Sequence, residues 1–311
     1  AFASFHIGDT NMGQDISRRE MMGTVAGASL AAAGITSAAS LPQTSATHGA
    51  SDRVFDIHAH FDPPSENFAD FGSPDEVIAK DYAQRVKYLD RNGIEQSVLT
   101  TGFTYRRTEG IASTRKMNDL VANYIAKHSD RFPVALGTVQ LSDGEASLVE
   151  LERMAKDLKF RGVIWHHGYT GFNIDHPFMR PLLRQARDLK LIPFIHCRQP
   201  EHEALWRLEI LAEEFPDMTF VALDTFTTGD DREHAAQILQ RRKNILCDTG
   251  ACVYNGERTI ETFVKRFGAE RLLVGSDGNP SLNLQIVRNA QLSPQEKQMV
   301  LSGNARKLLN L

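Results

Sequence analysis

The sequence predicts a protein of the α/β class with a (β/α)8 TIM-barrel fold. Three observations carry that expectation. From residue 53 onward, strand-like and helix-like patterns alternate eight times in about 260 residues, the count and size of such a barrel. Histidines and aspartates stand at the C-terminal ends of five predicted strands, where a barrel keeps its chemistry. No glycine-rich phosphate loop follows the first strand, which weighs against the dinucleotide-binding form of the alternative, a doubly wound open sheet.

The first strand is Arg53-Val54-Phe55 running into Asp56-Ile57-His58-Ala59-His60, a β-branched and aromatic run that turns polar. Alternate residues of a strand share a face, so His58 and His60 point the same way, with Asp56 one step below. By itself this pair is as well read as a polar turn. A helix over 74–92 follows, with Asp75 and Glu76 in its first turn and Gly93 at its end. Strand 96–101 and helix 114–128 come next, then strand 133–141 and helix 145–159. Strand 162–166 leads to a helix over 177–189 opened by Pro177. The pattern continues with strand 191–197, helix 201–215, strand 219–223, helix 231–242, strand 244–249 and helix 257–267. Strand 271–275 and helix 294–309 complete it.

Residues 1–52 do not read as part of a globular core. Ser17-Arg18-Arg19-Glu20-Met21-Met22 precedes a mildly apolar stretch over 21–36, and Ser37-Ala38-Ala39 offers a small-residue cleavage site. That order is expected of a twin-arginine export signal, followed by a polar linker over 43–52. The mature protein is then the barrel domain 53–311, exported or periplasmic. The apolar stretch is shorter than the roughly 20 residues of a membrane span.

Hydrophobic residues make up 41% of the 311, enough for a substantial core. The net charge is −4, and the basic runs Arg106-Arg107 and Arg241-Arg242-Lys243 are short. The second falls at a predicted helix end, where cations suit the dipole. Nucleic-acid binding is therefore not expected, and a small-molecule substrate is. A homo-oligomer is compatible with the sequence. Cys197, Cys247 and Cys252 are expected as small buried apolar residues.

The strand ends hold the chemistry. The first carries His58 and His60, the fourth His166 and His167, the fifth His196, the sixth Asp224 and the eighth Asp277. His58, His60, His196 and Asp277 form a convergent N,N,N,O set with the composition of a catalytic divalent site, most simply one zinc ion.

The ordered motifs DIHAHF at 56–61, FRGVIWHH at 160–167, LIPFIHC at 191–197, FGAERLLVGSD at 267–277 and LSGNARKLL at 301–309 resemble the amidohydrolase superfamily. The likeness is to its amidohydrolase-related (amidohydrolase 2) branch of metal-dependent hydrolases and decarboxylases, and it covers residues 53–311. The resemblance implies a (β/α)8 barrel with metal ligands at His58, His60, His196 and Asp277. Two positions depart from the family pattern. Ile164 stands where some branches carry a carboxylated lysine that bridges two metals, so one metal is expected. Asp224 stands where the family usually has a histidine.

A divalent ion lowers the pKa of bound water toward 7. Asp277 is expected to hold the metal and accept the water's proton. Asp56 either orients a ligand or pairs structurally elsewhere in the barrel. His166 shares a face with Ile164 and is the first candidate for a substrate or acid–base role. His167 is a candidate substrate contact or a surface loop histidine. Arg198 is placed to bind a substrate carboxylate or to make a structural salt bridge. Trp165 is expected to face a helix.

Three readings compete: a hydrolase of a small lactone, ester or amide; a nonoxidative decarboxylase; and a barrel that binds without turnover. The ligand set argues against the third. An ionised Asp224 cannot deliver a proton to carbon and would repel a substrate carboxylate, so hydrolysis is the expected reaction, with Asp224 bonding the water or a substrate hydroxyl. Replacing Arg18-Arg19 with Lys-Lys is expected to leave the protein in the cytoplasm. Cell fractionation checks this, and unchanged localisation would make residues 1–52 a tail.

Overall fold

Apolar residues on both faces of the predicted strands require two layers of cover, one inside a barrel and one of helices outside. The computed structural model describes residues 53–62, 72–103, 106–198, 201–226, 232–255, 258–277 and 280–311. The expected signal and linker, 1–52, lie outside the described residues.

The chain runs β1 (Val54–Asp56), β2 (His60–Phe61), α1 (Pro74–Arg91), β3 (Ile94–Thr101), α2 (Ile111–Lys127), β4 (Val134–Gly137) and α3 (Glu145–Lys156). Next come β5 (Gly162–Trp165), α4 (His167–Thr170), α5 (Met179–Asp188), β6 (Ile192–His196), α6 (Leu205–Glu214), β7 (Phe220–Leu223), α7 (Arg232–Arg241) and β8 (Ile245–Asp248). α8 (Thr259–Phe267), β9 (Leu272–Leu273), α9 (Pro280–Asn289), α10 (Pro294–Gln298) and α11 (Asn304–Leu309) follow.

All strand pairs are parallel, in the order β1-β3-β4-β5-β6-β7-β8-β9, and β2 continues the first stave beside β3. The ring closes where Ile57 N–H donates to Val274 O at 2.9 Å and Asp277 N–H donates to His58 O at 2.9 Å. Eight staves with alternating helices make the expected (β/α)8 barrel. Phe55, Ile57, Ile164, Phe194, Val221 and Leu273 fill its interior. Their neighbours along the staves, such as Val54, Val163, Trp165 and Ala222, pack outward against the helices. Trp165 thus faces the helix layer. Cys197, Cys247 and Cys252 are buried free thiols. Among the described residues, no helix is long and apolar enough to cross a membrane.

Two local differences from the expected elements have physical causes. The last helix is not continuous, because a π turn, Met299–Gly303, separates α10 from α11. Just beyond it, Asn304 Nδ2 donates to Ala269 O (2.7 Å) and Leu272 O (2.8 Å), drawing the chain against β9. Ala305 and Leu309 of α11 then join the interior cluster. Arg306 of the same helix lies over Phe55 and pairs with Glu95 at the start of β3, which places α11 at the N-terminal end of the barrel. The first stave breaks at residues 57–59, so His58 and His60 are not on one regular strand.

Asp56 holds that break in place. It is buried, and its Oδ1 accepts the N–H groups of His58 and Ser276, each at 3.0 Å. It therefore clamps the first stave to the last, the structural one of its two expected roles. Burial pushes its carboxyl up to about 6, against the lowering effect of those bonds. The folded state then holds this proton more tightly than the unfolded chain. The group's contribution to stability falls by on the order of 3 kcal/mol as pH rises from about 4 through 6. Asp56→Ala leaves two buried N–H groups without an acceptor and is expected to cost about 2–4 kcal/mol. Asp56→Asn keeps the acceptor oxygen and should gain stability relative to wild type across that pH window. Urea unfolding of the three proteins at pH 4, 6 and 8 measures this, and an Asp56→Ala loss under about 0.5 kcal/mol would contradict the clamp.

Candidate metal centre and active-site mouth

The C-terminal stave ends bring three imidazoles together. His58 lies in the break of the first stave, His60 in β2, and His196 is the last residue of β6. Their Nε2 atoms face one another: His58 to His60 is 2.9 Å, and His196 is 3.2 Å from each. Every Nδ1 is committed elsewhere. His58 Nδ1–H donates to Asp248 Oδ2 at 2.7 Å, His60 Nδ1–H to Thr101 O at 3.1 Å, and His196 Nδ1–H to Trp165 O at 2.9 Å. Carbonyl and carboxylate oxygens only accept, so each ring carries a proton on Nδ1 and turns Nε2 inward, the nitrogen left to ligate a cation. Three lone pairs at this spacing repel unless a cation sits among them. Nitrogens bound tetrahedrally at about 2.0–2.1 Å stand about 3.3 Å apart, close to the spacing here. The residues therefore fit a divalent metal ion.

Electrostatics agrees with that reading. Burial drives His60 and His196 well below the usual imidazole range, so both are neutral, the ligating form. Burial also lowers His58, but the Asp248 hydrogen bond and the nearby Asp277 and Asp224 outweigh it and push the ring up to about 10. A metal ion must displace that proton to bind. Asp277 offers an oxygen beside these nitrogens. Its Oδ1 is 3.6 Å from His58 Nε2 and 3.9 Å from His60 Nε2, and its side chain is 26% exposed. Arg198, 47% exposed, reaches the other oxygen at 3.8 Å. Ile164 is buried in the interior cluster below.

The remaining predicted residues separate into two groups. His166, just after β5, is nearly buried and stacks on His196 with ring centroids 4.1 Å apart. Phe103 approaches His60, His166 and His196 edge-on, and Tyr169 lies parallel to Phe103 at 6.1 Å. Together with Arg198 they form the mouth. His167 is buried in α4 rather than on a surface loop, and burial together with neighbouring His166 lowers it to about 3, leaving it neutral. Asp224 is also buried. Its Oδ1 is 3.9 Å from His58 Nδ1, behind the ring and away from the inward nitrogens. Burial pushes Asp224 up to about 7, partly offset by His58.

Sequence reading missed Asp248 and Glu203. Asp248 closes β8 and is fully buried. One of its oxygens takes His58 Nδ1–H and the other accepts Asp224 N–H at 2.8 Å. It has the orienting role that the sequence reading offered to Asp56. A Cβ at Gly250 or Gly275 would overlap the Asp248 carboxylate, so these close approaches need glycine. The seventh strand's terminal aspartate was the available signal. Glu203 is buried before α6, with Oε1 2.6 Å from His166 Nδ1. His60 and Asp277 also line a cavity of about 370 Å³, together with Asp62, Asp81, Gln84, Arg85 and Tyr88. Arg85 there donates to Asp81 and to His60 O, bracing the metal-side loop.

A family profile described as Amidohydrolase matches residues 55–311. The gamma-resorcylate decarboxylase of Rhizobium sp. (strain MTP-10005) is 31% identical over 127 residues, 37% of this chain and 38% of that protein. The chain spans about two-fifths of the length of the curated relatives it matches. Among solved structures, 2,6-dihydroxybenzoate decarboxylase from Rhizobium superposes with TM-score 0.66 at 20% identity, covering 83% of this chain and 99% of that one. The 5-carboxyvanillate decarboxylase of Novosphingobium aromaticivorans, complexed with manganese and 4-hydroxy-3-methoxy-5-nitrobenzoic acid, superposes with TM-score 0.66 at 16% identity, covering 88% and 100%. These superpositions establish the barrel.

The curated relatives overturn the expectation of hydrolysis, since those that match are decarboxylases. The physical argument for hydrolysis also fails. It took Asp224 as an ionised group facing the substrate, whereas the carboxyl is buried behind His58 and raised by that burial. Asp248→Asn is expected to lower divalent-metal affinity about 10–100-fold by releasing the His58 ring. Competition against a chelating dye measures this, and wild-type affinity in the variant would remove Asp248 from the centre.

Proposed function

This chain belongs to the amidohydrolase family, and on that premise we propose that it is a metal-dependent, nonoxidative decarboxylase of a small aromatic acid. The reaction class follows the decarboxylases it resembles in sequence. One observation in this chain supports it most: the His166 imidazole stands at the mouth, stacked on His196, while the strand-six position holds a buried aspartate.

His58, His60, His196 and Asp277 would hold one ion, and three nitrogens with one oxygen favour zinc. When bound, the cation supplies positive charge that anchors and polarises an anionic substrate. The chain's own residues do the rest. Phe103 and Tyr169 present aromatic surface to a planar ring. Arg198 pairs with an anionic oxygen of the substrate at the rim. His166, having taken a second proton from solvent on the nitrogen that faces the mouth, delivers it to the ring carbon as the bond to the carboxylate breaks. The bond's electron pair stays on that carbon and takes up the proton, and carbon dioxide leaves. His166 regains its proton from solvent. Asp224, behind His58, takes no part in this transfer.

Protein purified without added metal is expected to carry close to one equivalent of zinc, and His196→Ala to lose most of it, by elemental analysis. Metal-loaded protein given 2,6-dihydroxybenzoate and related aromatic acids in deuterium oxide should release carbon dioxide and place deuterium on the product ring. His166→Ala should lower kcat by about 10²–10⁴. Lactone or ester cleavage without carbon dioxide release would overturn the reading.

A further inference from the structure

Glu203 is a fully buried carboxylate on the segment between β6 and α6. Its Oε1 lies 2.6 Å from His166 Nδ1 and accepts Gly168 N–H at 2.8 Å. Its Oε2 is buried and makes no hydrogen bond among the described residues. A buried ionised carboxylate is costly, and a neutral glutamine would serve the Gly168 N–H equally well. The charge therefore answers to the imidazole. His166 Nδ1 is sealed from solvent and meets Glu203 as a close ion-pair contact rather than an aligned hydrogen bond, while 9% of the side chain remains exposed, so the open part of the ring lies away from Glu203. Stacking on His196 fixes the plane of the ring, and Glu203 fixes which edge turns inward.

We infer that Glu203 is a positioning residue: it sets the orientation and tautomer of His166, with Nδ1–H toward the carboxylate and Nε2 toward the active-site mouth. The kinetic part of this inference rests on the decarboxylase reading, and the structural part does not.

The test uses Glu203→Gln, which keeps an acceptor for Gly168 and so separates positioning from folding. Glu203→Gln should lower kcat at least about tenfold with KM within about twofold of wild type and unchanged metal content. In a His166→Ala background the same substitution should add no further loss. Equal losses in both backgrounds, or an unchanged kcat, would overturn the inference. Histidine ¹⁵N spectra of the metal-loaded protein, with the His166 signals assigned by their loss in His166→Ala, should show the proton on Nδ1 in wild type and a displaced Nδ1 signal in Glu203→Gln, whose neutral oxygen accepts that proton more weakly. Spectra identical in the two proteins would overturn it too. If no aromatic acid is decarboxylated, the reaction reading fails by itself, and the ¹⁵N result still decides the role of Glu203.

Discussion

The arrangement on which the rest of the site depends is three imidazole Nε2 atoms turned toward one another. Asp248, the Thr101 carbonyl and the Trp165 carbonyl each take an Nδ1 proton, which leaves the three Nε2 atoms within 3.2 Å of one another. Such a cluster needs positive charge among its nitrogens, a proton on His58 or a metal ion in its place. The acceptors behind the rings therefore do as much to make the centre as the ligands themselves. Two of the three are backbone oxygens of neighbouring staves, so the closed barrel itself sets the tautomers.

Holding this geometry places several groups under strain. Asp224 and Asp277 sit in the left-handed backbone region at φ +58° and +43°, which aspartate tolerates better than most residues. Asp56, Asp224 and Asp248 are buried carboxylates crowded around His58 and the backbone beside it. Gly250 leaves room for Asp224 and Asp248, and Gly275 for Asp248. The interior below is apolar and well filled, with Ile164 and Phe194 under the histidines and α11 across the far end. A rigid lower half supports an upper end in which charge, strain and polarity are concentrated.

Three imidazoles and a carboxylate serve water activation or carboxylate binding equally well, so such a set does not choose a reaction. The choice turns on where acid–base groups lie. Asp224 is withdrawn behind His58, and His166 stands at the opening beside Phe103 and Tyr169. An expectation built on strand position put Asp224 in front, because regular alternation says nothing of a left-handed turn at the strand's last step.

By itself the sequence determined the barrel, its eight staves and the histidines that gather at its C-terminal end. Those follow from periodicity and from which residue types end each strand, both local properties. It also placed Trp165 toward the helices and His166 toward the mouth by simple alternation. Only the tertiary structure decided the partners. Asp248 meets His58 across 190 residues, and Glu203 meets His166 across two helices and a strand. The break at residues 57–59, the π turn before Asn304 and the burial of Asp224 depend likewise on distant packing. Periodicity reports which way a side chain leaves its own strand, while the protonation, tautomer and reach of a group are set by what the closed barrel places opposite it.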